Sequence, residues 1–240
     1  MTMRKGIIFD MDGVLIDAMP FHAEAMRRAI KERTNHEIDK KNIYLLEGMP
    51  GPNLVKEIFR KENIGHHLAV NDDVSEQIGI RKKQIFEQIQ NAKVIEGARD
   101  LLEDLTRSCG QACTKAVVSG SARKEVEAIL DKNIGAQFFD VIITGDDLEE
   151  GKPQPAPFQI ALKKMKLKAS EVMVVENSPL GVQAAVRAGL KYIITLNNTP
   201  LDLNADFKEV ISSDVEKVTF RDTKSAGEFL KNWCRCGNSK

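Results

Sequence analysis

The feature that most constrains the fold of this 240-residue chain is an interrupted rhythm. A short apolar run, Gly6-Ile7-Ile8-Phe9, reads as a parallel strand buried on both faces. It ends in Asp10-Met11-Asp12-Gly13-Val14, and no convincing strand follows for the next 75 or so residues. Residues 18–92 carry helical spacing instead: Phe21, Ala25, Ala29 and Ile30, then Leu54, Val55, Ile58 and Phe59, then Ile78, Ile85, Phe86 and Ile89. Gly48-Met49-Pro50-Gly51-Pro52 and the polar stretch at Asn71-Asp72-Asp73 separate these helices.

From Ile95 onward strands and helices alternate. Ala98, Leu101, Leu102 and Leu105 mark a helix, and Lys115–Val118 a strand ending at Ser119-Gly120-Ser121. A helix at Val126, Ile129 and Leu130 leads to a strand over 139–144, then a helix over 157–165 and a strand over 172–175. Ser178 is a good N-cap, Pro179 suits a first turn, and Gly189 marks the stop of the helix between them. Strands over 192–195 and 209–212 complete the pattern. Alternation of this kind predicts an α/β fold, a mainly parallel sheet covered on both faces. The sheet domain is assigned to residues 1–17 and 93–240, and an all-helical cap inserted after its first strand to residues 18–92. The linkers are expected at Asp17–Met19 and 91–96.

Charge and cysteine content narrow the function classes. Lys+Arg and Asp+Glu both number 35, which argues against nucleic-acid binding driven by bulk charge. No apolar run approaches the roughly 18 residues a membrane span needs, and the run after Arg4 and Lys5 is too short for a signal peptide. A cytoplasmic protein, monomeric or weakly dimeric, is expected. Cys109, Cys113, Cys234 and Cys236 fit no common zinc spacing and are expected to be free thiols, the last two in a polar tail.

Four polar groups stand at strand ends: Asp10 with Asp12, Ser119, a loop bearing Lys152, and Glu176 with Asn177. In a parallel sheet these ends share one edge, where ligands bind. A phosphoryl-transfer site needs a nucleophile, a cation, donors for the non-bridging oxygens and a fixed positive charge, and this set contains a group for each.

The same segments resemble four motifs of the haloacid dehalogenase superfamily, in the branch of β-phosphoglucomutase and phosphoglycolate-phosphatase-like enzymes. They are Asp10-Met11-Asp12-Gly13-Val14-Leu15-Ile16-Asp17, Val117-Val118-Ser119-Gly120-Ser121, Gly151-Lys152-Pro153-Gln154-Pro155 and Val174-Val175-Glu176-Asn177-Ser178-Pro179-Leu180-Gly181, in that order. The resemblance implies a Rossmann-like core with a C1-type cap. It implies Asp10 as nucleophile, Asp12 as general acid and base, Ser119 on the phosphoryl oxygens and Lys152 as the neutralising charge. It implies a Mg²⁺ site from Asp10, the Asp12 carbonyl, Glu176 and Asn177.

The chain departs from the family where Asn177 replaces the usual Asp. The cap loop Leu46–Asn53 carries Glu47 and no Lys or Arg, whereas the mutase loop supplies basic residues for a second phosphate. This favours a Mg²⁺-dependent phosphatase of a small phosphorylated metabolite over a phosphosugar mutase. A phospho-ligand binder without turnover is the third reading, favoured only by Asn177. Substrate contacts are expected from Met19, His22, Glu47, Met49 and Asn53 of the cap, and from Gly120, Ser121 and Arg123 beside the second motif.

Overall fold

The computed structural model describes residues 4–64, 72–208 and 215–236. The chain runs β1 (Lys5–Asp10), α1 (Met19–Thr34), α2 (Lys40–Leu45), α3 (Gly51–Lys61), α4 (Asp72–Ile89), α5 (Ala98–Cys109), β2 (Cys113–Val118), α6 (Arg123–Asn133), β3 (Val141–Ile143), α7 (Ala156–Met165), β4 (Val172–Glu176), α8 (Pro179–Arg187), β5 (Tyr192–Leu196), β6 (Glu216–Phe220) and α9 (Thr223–Cys236).

The six strands form one sheet in the order β3-β2-β1-β4-β5-β6, and every pairing is parallel. Strand β1 lies between β2 and β4, with Phe9 opposite Val117 on one side and Val175 on the other. The chain builds outward from β1 through β2 to β3, then returns to the far side of β1 for β4, β5 and β6. That reversal makes the carboxyl end of β1 a topological switch point.

Strand side chains alternate between faces, so successive β1 residues enter different cores. Ile7 and Phe9 pack with Leu101, Leu105, Val126 and Leu230 of α5, α6 and α9. Ile8 packs with Phe158, Met165 and Val182 of α7 and α8. Burial on both faces explains why β1, β2 and β4 read as nearly continuous apolar runs.

Helices α1–α4 hold a third core of their own, built around Met26, Ile30, Val55, Ile58, Ile78 and Phe86. Helix α4 packs against α1 and α3. The two chain crossings between this insertion and the sheet are paired. Ile16 and Val94 form an antiparallel bridge, Asp17 N donates to Lys93 O at 2.8 Å, and Ile95 N donates to Leu15 O at 2.9 Å.

The C-terminal region differs from expectation. The strand expected over 209–212 falls outside the described residues, and the sixth strand is Glu216–Phe220. The segment expected as a polar tail is helix α9, because Ala226, Leu230 and Cys234 recur every four residues and bury a stripe against the sheet domain. Cys113 and Cys234, expected as free thiols, are bonded to each other with Cα atoms 5.7 Å apart; Cys109 is free and buried. Leu230 is fully buried, so Leu230→Ala is expected to cost about 2–5 kcal/mol. A lowered urea midpoint at unchanged slope would report this; an unchanged midpoint would show α9 to be dispensable. Among the described residues no helix is long and apolar enough to cross a membrane.

Candidate active site

The switch point gathers side chains from distant parts of the sequence. Asp10 ends β1, Ser119 follows β2, Lys152 stands on the loop between β3 and α7, and Glu176 ends β4 with Asn177 next to it. All five are buried. Lys152 Nζ bridges the two carboxylates, donating to Asp10 Oδ1 and, at 2.5 Å, to Glu176 Oε1. This contact joins residues 142 apart in sequence and ties the β3–α7 loop to the sheet edge.

Glu176 has little left to offer a ligand. Its Oε2 accepts from Asn177 N at 2.9 Å, Ser178 N at 3.1 Å and Ser178 Oγ at 3.1 Å, while Oε1 is held by Lys152. The same Ser178 Oγ accepts from Gly181 N at 3.1 Å, so the cap of α8 and the Glu176 anchor are one network. Asn177 is the opposite case. Its Oδ1 and Nδ2 are both buried without a partner, as is Asp10 Oδ2. A side chain at position 13 would collide with Asn177 Nδ2, and Gly13 has φ +87°; glycine there makes room for the amide.

Orphaned buried polar atoms carry a free-energy cost unless a ligand answers them. Asp10 Oδ2 and Asn177 Oδ1 are hard oxygen donors of the kind that Mg²⁺ takes. Among the described residues no group of three His, Cys, Asp or Glu side chains is arranged to hold a metal ion. The candidate donor set therefore rests on one carboxylate and one amide, with Glu176 engaged elsewhere.

Asp12, two residues beyond Asp10, meets Ser119 and His22. Ser119 Oγ donates toward Asp12 Oδ2 across a long 3.5 Å and accepts from Ser121 N at 3.2 Å. His22 Nε2 is 3.9 Å from Asp12 Oδ1. Lys82 Nζ donates to His22 Nδ1 at 2.7 Å, which leaves the imidazole proton on Nε2, facing Asp12. The ring stacks on Phe86 with centroids 4.0 Å apart. Burial, then the Lys82 ammonium, holds His22 well below its ordinary value, so it is neutral near pH 7. Burial is also the main cause that pushes Asp12 up to about 7; Glu125 adds repulsion, while Lys82, Lys152 and Ser119 pull the other way. For Asp10, burial raises the pKa, Lys152 opposes it, and Glu176 and Asp12 add to the rise. Burial works against the charge of Lys152, but the Asp10 and Glu176 carboxylates outweigh it and keep the ammonium protonated.

A cavity of about 860 Å³ opens over Asp10, Asp12, His22, Lys82 and Lys152, between the insertion and the sheet edge. Met19, His22, Glu47, Met49, Gly120 and Ser121 line it, as the sequence reading expects of substrate contacts. Asn53 does not: it sits on the exposed side of α3. Arg123 does not either, because Asp147 at 2.6 Å and Glu127 at 3.2 Å hold its guanidinium along α6. Lys82 was not singled out from the sequence, and Phe86 was read only as part of an apolar helix face. The available signal was a lysine in the apolar stripe of α4, four residues after Ile78 and four before Phe86.

Comparison with known proteins converges on one family. A family model described as haloacid dehalogenase-like hydrolase matches residues 7–195. A phosphorylated carbohydrates phosphatase from Thermotoga maritima is 26% identical over 192 residues, 79% of this chain and 83% of the relative. A phosphoglycolate phosphatase from Vibrio parahaemolyticus is 25% identical over 193 residues, 77% of this chain and 80% of the relative. A solved structure from Bacteroides vulgatus that carries a provisional β-phosphoglucomutase name superposes with a TM-score of 0.81 at 29% identity. That match covers 100% of this chain and 92% of the other.

Proposed function

The chain belongs to the haloacid dehalogenase-like hydrolases, an enzyme of phosphoric monoesters with phosphomutase chemistry as the alternative, and from its sheet-edge site we propose a Mg²⁺-dependent phosphatase acting on a small phosphorylated metabolite. The observation that carries this reading is the state of Asp10. One oxygen is pinned by Lys152, and the other is buried, unpaired and beside the cavity.

In the proposed reaction, an Asp10 carboxylate oxygen attacks phosphorus and the bond to the leaving oxygen breaks, leaving the phosphoryl group on Asp10. Asp12 gives its proton to that leaving oxygen. A pKa near 7 keeps a share of Asp12 protonated at neutral pH, which suits a general acid. Water then attacks the aspartyl-phosphate and passes a proton back to Asp12, which restores both carboxyls. Ser119 donates to the phosphoryl oxygens, and Lys152 opposes the negative charge that builds on Asp10. Neutral His22, fixed by Lys82 and Phe86, directs its Nε2–H toward Asp12 and limits where that carboxyl can turn. Mg²⁺, held by Asp10, Asn177 and the Asp12 carbonyl, would offset the repulsion between carboxylate and phosphate. We assign Glu176 the positioning of Lys152 and the Asn177 backbone.

Helices α1–α4 are proposed as a cap that encloses the substrate and excludes bulk water during turnover. The mutase alternative is disfavoured because the segment Leu46–Asn53 offers no Lys or Arg for a second phosphate. The reading is tested by phosphate release from a panel of phosphorylated metabolites, with and without Mg²⁺. Mg²⁺-dependent release is expected; conversion of a sugar monophosphate to its isomer with a bisphosphate activator, and no release, would favour the mutase. Asn177→Asp adds a formal charge at the candidate ligand. It is expected to lower the Mg²⁺ concentration for half-maximal activity about tenfold or more, as one extra charge contact would. An unchanged Mg²⁺ dependence would remove Asn177 from the ligand set.

A further inference from the structure

Asp10 and Asp12 are held in different ways. Asp10 is the last residue of β1, in register with Val118 of β2, and Lys152 bonds its carboxylate. Asp12 lies beyond the strand, in a turn that closes on itself. Leu15 N and Ile16 N each donate to Met11 O at 3.0 Å, and Gly13 N donates to Ile16 O at 2.7 Å. Two carbonyls of this turn, Gly13 O and Val14 O, take no backbone donor among the described residues. Side chains from near the C-terminal end of the chain serve them instead. Asn198 Nδ2, just past β5, donates to Gly13 O, and Thr223 Oγ1, at the start of α9, donates to Val14 O at 2.6 Å.

Thr223 is fully buried and stands on a fixed base. Asp222 before it accepts from Ser225 N at 2.8 Å, and Asp222 N donates to Ser225 Oγ at 3.1 Å, which closes the first turn of α9. The stripe Ala226, Leu230 and Cys234 seats the rest of the helix on the sheet domain. Lys224, the next residue, lies so close to Gly97 that a Cβ there would collide with it. One end of α9 therefore touches both the turn that carries Asp12 and the stretch where the chain re-enters the sheet domain.

We propose that Thr223 is a positioning residue for the reaction: its hydroxyl fixes the turn that presents the Asp12 carboxyl to the leaving oxygen of the substrate. The proposal rests on the phosphatase reading above. Gly13 has φ +87° and is free to pivot, so tethers on the carbonyls of residues 13 and 14 remove a freedom that the turn's own bonds leave. Valine at position 223 would fill the same space and leave the Val14 carbonyl without its donor. Asp10 would keep its strand partners and Lys152, so a slack turn displaces the acid and spares the nucleophile. A misplacement of about 1 Å in a reacting group costs on the order of 10²-fold in rate.

The test compares full-length wild type, Thr223→Val and Thr223→Ser with Mg²⁺. It measures kcat/KM for phosphate release from 4-nitrophenyl phosphate, whose leaving group departs without a proton, and from the best alkyl phosphate of the metabolite panel, whose leaving oxygen needs one. Thr223→Val is expected to lower kcat/KM at least about tenfold on the alkyl ester and less than about twofold on the nitrophenyl ester. Thr223→Ser keeps the hydroxyl and should stay within about threefold of wild type on both. Leu230→Ala weakens the same helix but keeps Thr223, and should leave the ratio between the esters unchanged. Equal losses on the two esters in Thr223→Val, or a changed ratio that Leu230→Ala reproduces, would overturn the proposal. Amide hydrogen exchange reads the turn without turnover. In Thr223→Val the Leu15 and Ile16 amides should exchange at least about tenfold faster while those of Ile7, Ile8 and Phe9 do not change; unchanged exchange at Leu15 and Ile16 would also overturn it. Faster exchange in the turn with no release from either ester by wild type would sink the phosphatase reading alone. Release by wild type with equal losses on both esters would sink the positioning role alone.

Discussion

Asp10→Asn is expected to lower kcat for phosphate release by at least about 10³-fold while leaving the fold intact. The amide is isosteric with the carboxylate, so it keeps an oxygen for Lys152 and fills the same space. Its neutral oxygen lacks the charge of a carboxylate and is a far weaker nucleophile toward phosphorus. Glu176 still accepts from Lys152, so the ammonium does not become an unpaired buried charge. Burial already works against an ionised Asp10, and neutralising it should therefore leave the melting temperature unchanged or raise it. Single-turnover phosphate release and a thermal melt measure the two halves. A variant that kept more than a tenth of wild-type kcat would exclude Asp10 as the nucleophile.

Lys152→Met should fail differently, losing activity and stability together. Lys152 is 3% exposed and its ammonium sits between two buried carboxylates, so its removal leaves like charges facing each other. Breaking a buried pair from one side costs about 3–5 kcal/mol. The pH dependence has a definite sign. Without Lys152 the folded-state pKa of Asp10, already raised by burial, rises further. The folded state then binds more protons than the unfolded state, whose Asp value is near 4, so stability falls as pH rises. The penalty should be smallest near pH 4 and grow as pH climbs through the raised folded value. Urea unfolding at pH 5 and pH 8 reads it; an equal loss at both would show that Lys152 contributes packing and not charge.

The sheet was legible because burial on both faces leaves little choice of residue. Ile7, Ile8 and Phe9 enter opposite cores within three positions, and only an apolar run satisfies that. Asp10, Ser119, Lys152 and Glu176 were legible because parallel strands force their ends to one edge, so short polar segments after apolar runs acquire a place in space. Lys82 was not, because its partner His22 lies 60 residues away and the α1–α4 packing that joins them leaves no local mark beyond a lysine in an apolar stripe. Arg123 was misjudged for the same reason. Its position after β2 pointed to the cavity, but Asp147, 24 residues on, holds the guanidinium. Asn53 depended on which face of α3 turns inward, and Val55, Ile58 and Phe59 decide that face. The tail was misread because the spacing of Ala226, Leu230 and Cys234 was overshadowed by its charged neighbours.

The paired linkers at Ile16 and Val94 have a mechanical consequence. A helical unit tied by one strand could wander about its tether, and one tied by two independent strands could still shear between them. If α1–α4 move as the proposed cap, two crossings bonded to each other would act as the knuckles of a single door hinge, permitting swing about one line and resisting twist and slide. Each return of the door would then bring Gly48 back over Lys152 and Glu47 back to the same spot, with little search. Accuracy of a loop far from the hinge is in this way a property of two backbone hydrogen bonds at its root.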